Sequence, residues 1–366
     1  MTIVMQSAVQ VIVDTLTDPA MLLAAFAGGA FGASLGALPA FCFTGFAVIA
    51  GEASNLALDA LGDSNAITSE VIAASGITGN VAFGAVFGPH ISFAGGAAAA
   101  AYAAKKGYMD FGFDYHEAKN IPAALGTKPD VLAVGGLFGI FGLVITTLSA
   151  NFAAPWDPIA IGVVLSAVAH RLVFGYDLIG DVRGGGILDM SPFEREEMRP
   201  AASDAGAMTD GGETKQRLAT EPWLPHQYEW ANVAMIGLVT GILGGFIALT
   251  TGSPFLGFGI SAATLTFLNL GVERIPVTHH MTLPASTAAL AYTAGAEELG
   301  TIAIVIAAIF GISGALTGEV VQRVFYAHAD THFDPPAAAI VVNTFFIAVL
   351  AMVGVFPSSS WVPVPL

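Results

Sequence analysis

Residues 20–58 read AMLLAAFAGGAFGASLGALPAFCFTGFAVIAGEASNLAL, and the first charged side chain in this stretch is Glu52. Divided before Pro39, it gives two apolar segments, 20–37 and 39–58, each close to the ~20 residues that cross a hydrocarbon core as a helix. The rest of the chain has the same character: 366 residues, 55% hydrophobic and 11% charged, with a mean hydropathy of +0.72 and no Lys or Arg before Lys105. An average soluble protein carries about a quarter charged residues. This sequence lacks the polar side chains to cover a globule of its size. The expected fold class is an all-α integral membrane protein with about ten or eleven transmembrane or re-entrant helices in two inverted repeats.

The further candidate spans are 70–88, 90–106, 131–150, 156–175, 232–251, 253–272, 280–296, 301–323 and 336–356. Segments 90–106 and 280–296 are short and rich in Ala, Gly, Ser and Thr, so either a crossing or a re-entrant segment suits them. The expected organisation is an N-terminal surface segment 1–19, a first membrane repeat 20–175, a polar acidic linker 176–229 and a second membrane repeat 230–366. The N-terminal segment has neither a basic n-region nor a small-residue cleavage site, so it is kept in the mature chain as an amphipathic surface helix. The linker, with Gly184 to Gly186 and the run ASDAGAMTDGGETKQ, reads as mobile and cytoplasmic.

Basic residues set the orientation. Lys105, Lys106, Lys119 and Lys128 flank or occupy 107–129, and Arg171, Arg183, Arg195, Arg199, Lys215 and Arg217 flank or occupy 176–229. The positive-inside rule puts both loops in the cytoplasm and the protein in the cell membrane as a multi-pass chain. The net charge of −16 lies mostly in acidic loops. An excess of solvated carboxylates suits strong salt, which reads as halophilic and argues against nucleic acid as a partner. Cys42 has no second cysteine to pair with and reads as packing.

The two halves match in order. His90-Ile-Ser-Phe-Ala-Gly-Gly and its Ala run to Tyr102 align with His280-Met-Thr-Leu-Pro-Ala-Ser and its Ala-rich run to Tyr292. Gly139 to Gly142 aligns with Gly311 to Gly314, and Trp156-Asp157-Pro158 with Phe333-Asp334-Pro335. Under the charge-derived orientation the paired segments run in opposite directions, the arrangement many secondary transporters use for alternating access. Gly28, Gly32 and Gly36, Gly135, Gly139 and Gly142, and Gly237, Gly241 and Gly245 read as helix-packing faces.

The segments around Pro39, Gly88-Pro89 and Pro284 read as broken helices whose free amides can hold an anion. The candidate substrate-binding residues are Pro39, Ala40, Thr44, Gly88, His90, Ser92, His280, Thr282, Pro284, Ser286 and Thr287. Glu52 and Glu319 are candidate ion-coupling groups because carboxyls at membrane depth are costly, although Glu319 is also spaced to pair with Arg323. Asp157 and Asp334, each before a proline, read as helix caps. No metal-ligand spacing, nucleotide loop or nucleophile elbow occurs, so neither an enzyme nor a cofactor is expected.

Gly32-Ala-Ser-Leu-Gly36-Ala-Leu-Pro39-Ala40, then Phe83 to His90 with the Ala run to Lys105-Lys106-Gly107, and Thr282-Leu-Pro284-Ala285-Ser286-Thr287 resemble segments of the large membrane subunit of tripartite tricarboxylate transporters. Ala40 and Ala285 stand where that family has glycine after proline, and the chain is much shorter. The resemblance implies ion-driven uptake of a small carboxylate with a small membrane subunit and an extracellular solute-binding protein. The expected function is thus a secondary transporter of a small anionic solute in the lipid bilayer. The alternatives are a channel or passive pore, and a structural membrane protein whose glycine faces pack into a homo-oligomer.

Overall fold

The computed structural model describes residues 2–61, 76–109, 113–199, 209–210, 213–214, 217–295 and 300–365. Among the described residues the regular structure is helical but for a two-residue antiparallel pair, Thr209–Asp210 with Glu213–Thr214, and a single bridge between Met198 and Leu218. Its long helices are α1 (Thr2–Thr17), α2 (Pro19–Leu35), α3 (Ala37–Leu61), α4 (Ser92–Lys105), α5 (Pro129–Asn151), α6 (Pro158–Phe174), α7 (Trp230–Thr251), α8 (Leu256–Asn269), α9 (His279–Thr293), α10 (Thr301–Phe325) and α11 (Pro335–Met352). Among the described residues five are long and apolar enough to cross a bilayer: residues 37–57 of α3, and α5, α7, α10 and α11. A sixth span results if α1 and α2, bent by 66° at Asp18, count as one.

Side-chain size sorts inside from outside. The interior is built of alanine and glycine, while Leu23, Phe31, Leu137, Leu172, Met235, Phe246, Ile302 and Ile309 stand exposed on the outer helix faces. Lipid tails are as apolar as leucine, so helices in a bilayer gain little by burying large side chains. They gain by close approach, which small residues allow. This is a membrane protein by composition and by the arrangement of its surface.

Three helices open on an Asp-Pro pair. Asp18 Oδ1 accepts from Ala20 N (2.9 Å), Asp157 Oδ1 from Ile159 N (2.7 Å) and Ala160 N (3.2 Å), and Asp334 Oδ2 from Ala337 N (2.9 Å). The carboxylate satisfies first-turn donors, and proline at the first helical position has no donor to satisfy.

Helices α4 and α9 are short, about 21–23 Å at 1.5 Å per residue, against a hydrocarbon core of ~30 Å. The expected span 70–88 is not a continuous helix in its described part. Residues 76–91 form a π-turn at Thr78–Ala82 and then irregular turns through Gly84, Gly88 and Pro89. Two glycines and a residue without an N–H give this stretch no stable ladder.

Helix pairings occur in corresponding sets. α2 packs on α4 and α5, and α7 packs on α9 and α10. α4 packs on α5 and α6, α9 on α10 and α11, α5 on α6, and α10 on α11. Helices α3 and α8 cross each other between the two groups. The contacts are backbone on backbone: a Cβ at Gly142 would overlap the His90 carbonyl oxygen, and one at Gly314 that of His280. Both carbonyls have left the helical ladder, since Ala94 N bonds to Pro89 O instead and Pro284 has no N–H for His280. Gly32 meets the Ser92 backbone and Gly244 the Thr282 backbone in the same manner.

The described parts of the loops 107–128 and 176–229 lie on one face. Leu38 N bonds to Ile121 O (3.1 Å), Leu125 N to Ala33 O (3.3 Å), and the Lys119 ammonium to Glu221 Oε2 (2.6 Å). The expectation of a mobile linker at 176–229 is corrected for its described parts: Met190, Arg199, Arg217, Glu221, Leu224 and Gln227 are buried. Paired with one another and with backbone carbonyls, these charges are interior, a distinction composition does not make. Residues 200–208, 211–212 and 215–216 of that segment, Lys215 included, and 70–75 of the expected third span lie outside the described residues.

Candidate functional site

A cavity of about 880 Å³ lies between the two helix groups. From α3 it takes Phe41 and from the residue that precedes α8 it takes Phe255, which correspond at the spacing that matches Gly45 with Gly259. From the short helices and the turn before α4 it takes Pro89 with His279 and Phe93 with Leu283, which correspond at the His90 to His280 spacing. From α6 and α11 it takes Asp157 with Asp334, Ala160 with Ala337, and Val163 with Ile340. Each wall residue named here thus has a counterpart at a matching sequence position in the other half of the chain.

One wall is aromatic throughout. Ring centroids step from Trp361 to Phe255 (5.3 Å), Phe83 (5.3 Å), Phe258 (5.8 Å), Phe41 (5.8 Å), Phe93 (5.9 Å), His332 (5.6 Å) and Tyr326 (5.5 Å). Trp361 belongs to the segment after α11, which folds back over α9: Trp361 Nε1 donates to Thr287 Oγ1 (2.9 Å), and Ser358 Oγ to Ala291 O (3.3 Å). His279 packs against Phe41 (4.8 Å) and Phe258 (5.7 Å), and its buried Nδ1 has no hydrogen-bond partner.

Of the charged side chains in the lining, Asp114, Asp157, Glu273 and Asp334 are acidic and Lys119 and Arg274 basic. Arg274 is exposed and Lys119 is fully buried. Lys119 is held in a network at the loop-bearing face: Glu221 also takes Arg217 Nη1 (3.2 Å), Arg217 Nη2 donates to Asp330 Oδ1 (2.5 Å), and Arg199 Nη2 donates to His328 O (3.0 Å). Burial works to raise the Glu221 carboxyl, but the Lys119 ammonium and Arg217 guanidinium outweigh it and hold the group below its ordinary value. Farther along the loops, Asp189 is held down at about 2 by the N–H groups of Gly185 and Ser191 and by the Ser191 hydroxyl.

The residues expected from sequence to bind substrate do not line this cavity. Pro39 and Ala40 lie in the first turn of α3, and Thr44 Oγ1 donates to Phe87 O (2.6 Å). Gly88 is a turn residue whose carbonyl accepts from Ile91 N and Ser92 N, His90 packs on Gly88 and Gly162, and Ser92 Oγ faces Gly88 O (3.4 Å). His280 packs on Gly318 and Trp223, and Pro284 is inside α9. Thr282 Oγ1 donates to His279 O (3.3 Å), Ser286 Oγ to Thr282 O (2.8 Å) and Thr287 Oγ1 to Leu283 O (2.8 Å). Their donors are spent on helix backbone. The face that looks into the cavity is the neighbouring one, Pro89 with Phe93 and His279 with Leu283, because one residue of offset turns a helical side chain by about 100°.

The two carboxyls expected to couple ions differ. Glu319 accepts from Arg323 Nε (2.6 Å) and Gln322 Nε2 (2.9 Å). Glu52 accepts from Thr78 Oγ1 (2.6 Å), from the Ser253 hydroxyl and from Asn55 Nδ2 (3.4 Å), with no ion pair among the described residues. No cluster of three or more His, Cys, Asp or Glu placed to hold a metal occurs among the described residues.

A family model described as a family of unknown function (DUF7973) matches residues 11–365. No curated protein and no solved structure matches the chain.

Proposed function

We propose that this chain, a member of the DUF7973 family, is a secondary transporter that moves a small solute across the cell membrane by alternating access. The observation that carries the proposal is the cavity walled by corresponding residues of two helix groups, with the short helices α4 and α9 beginning at its edge. We read the groups α2–α6 and α7–α11 as inverted repeats. α2 ends at the loop-bearing face, where Ala33 and Ser34 accept from Leu125 and Gly126. α7 begins from that face, where Tyr228 O accepts from Arg323. A site on the pseudo-symmetry axis lets one group rock against the other and expose the same residues to either side in turn. Lysines and arginines on the loop-bearing face orient it to the cytoplasm.

Glu52 is our choice for the coupling group: it is a buried carboxylate served by hydroxyls of two other segments, whereas Glu319 is neutralised by Arg323. The small carboxylate, the small membrane subunit and the extracellular binding protein rest on the tripartite-transporter resemblance alone. The acidic loops fit a protein working in strong salt.

Gradient-driven uptake into liposomes holding the full-length chain tests this reading. The expected result is saturable accumulation that an ionophore collapses and Glu52→Gln uncouples, leaving exchange intact. Single-channel currents, or a flux linear in solute concentration and indifferent to gradients, would overturn it.

A further inference from the structure

Within that transport reading, we infer that the solute of the central cavity is a small organic cation of the alkylammonium class, in place of the carboxylate the sequence suggests. Three features of the lining point to it. First, the wall from Trp361 through Phe255, Phe83, Phe258 and Phe41 to Phe93 presents aromatic rings in unbroken succession. Ring faces carry negative potential, and they attract ammonium ions most where water is excluded.

Second, the buried charge that the lining leaves without a lysine or arginine partner has one sign. Asp157 and Asp334 sit on opposite groups, their oxygens engaged by cap N–H groups and, for Asp334, by His332 Nε2 at 3.3 Å; neither meets a lysine or arginine within ion-pair distance among the described residues. The buried basic group in the lining, Lys119, is cancelled by Glu221 at 2.6 Å, and Arg274 is exposed at the mouth. A carboxylate entering here would lose its water beside two like charges and find no buried unpaired cation among the described lining residues. An ammonium ion would find two carboxylates and a wall of rings.

Third, the His279 ring lines the cavity and neither of its nitrogens is hydrogen-bonded among the described residues; Nδ1 is closed off by packing, which leaves Nε2 as the acceptor within a solute's reach. An unpaired ring nitrogen on a cavity wall can take a hydrogen bond from a bound solute. A neutral imidazole nitrogen can accept from a protonated amine. The volume of about 880 Å³ falls within the range of small-molecule sites.

The test is a fluorescence titration of the full-length chain in lipid nanodiscs, since Trp223 and Trp361 line the cavity. Tetramethylammonium chloride should change the emission saturably, where sodium chloride and sodium acetate at equal ionic strength do not. Asp157→Asn and Asp334→Asn should each weaken this binding at least tenfold with the fold retained, because asparagine caps a helix as well as aspartate does. Trimethylammonium, which has an N–H, should bind more tightly than tetramethylammonium, and His279→Phe should erase that difference. Saturable acetate binding without tetramethylammonium binding, no binding of either, or Asn variants that bind as the parent does would each overturn the inference. Acetate binding with coupled acetate uptake would overturn it while sparing the transport reading. Tetramethylammonium binding without counterflow of the labelled ion in liposomes would support the site and defeat transport.

Discussion

Replacing Glu221 by glutamine removes one charge from the network under the loops and leaves its shape. Lys119 and Glu221 have no exposed side-chain surface, and their 2.6 Å contact joins the first helix group to the segment that precedes α7. Glutamine can still accept from Arg217, and Arg217 keeps Asp330 as its counterion. The Lys119 ammonium stays buried with no carboxylate at contact distance. Removing one partner of a buried pair costs about 3–5 kcal/mol, mostly through the uncompensated charge that remains. At 1.4 kcal/mol per decade, the unfolding constant should rise at least about a hundredfold. Denaturant titration of the detergent-solubilised chain, followed by tryptophan fluorescence, measures this. The double variant Lys119→Met with Glu221→Gln should recover much of the loss, because no orphaned charge remains. A Glu221→Gln loss below about 1 kcal/mol, the size expected of an exposed pair, would refute the reasoning.

Gly142→Ala and Gly314→Ala should destabilise by similar amounts, about 1–3 kcal/mol each, because both force a methyl onto a histidine carbonyl; melting temperatures that differ widely would contradict their equivalence. Thr287→Val, which strips the indole N–H of Trp361 of its acceptor, and His90→Ala should lower the melting temperature while leaving solute affinity unchanged, and a selective loss of affinity would return them to the binding site. The Asp189 carboxylate, held at about 2 in the fold, steadies the Gly184 to Ser191 turn above the ordinary aspartate range near 4, and that contribution is lost as pH falls through 2. Hydrogen-exchange protection at the Gly185 and Ser191 amides, corrected for intrinsic rate, should therefore drop between pH 4 and pH 2 and not between pH 7 and pH 5. If the acidic loops serve strong salt, thermal stability should fall when molar salt is diluted; equal stability in both would remove that reading.

Much of the architecture was legible because bilayer chemistry leaves few choices. Apolar runs gave α2, α3, α5, α7, α10 and α11, and the Asp-Pro pairs marked the starts of α6 and α11. The sequence matches of His90 with His280 and of Gly142 with Gly314 fall on contacts of one kind, a glycine under a histidine carbonyl. The cavity face was not legible. In a helix polar on neither side, His279 and His280 are equally eligible, and only tertiary packing decides which one faces the opening. Trp361 lies outside every apolar run, so its place over α9 leaves no periodic signal. Lys119 and Glu221 are far apart in sequence and resemble solvated loop charges until the fold joins them.

The crossing of α3 and α8 has a mechanical consequence. At Gly45 the α8 backbone closes directly on α3, where a Cβ would fall among Gly259 O, Ala262 C and Ala263 N, and at Gly259 the buried Val48 side chain of α3 fills the space a Cβ would take. Ordinary helix pairs interlock ridges of side chains in grooves, so turning one against the other means lifting each knob from its hole. Here one tooth, Val48, rests on a glycine, and the other side of the contact is bare backbone. Turning the pair means shifting that single seated side chain and no row of knobs, which makes the crossing a pivot centred on Val48.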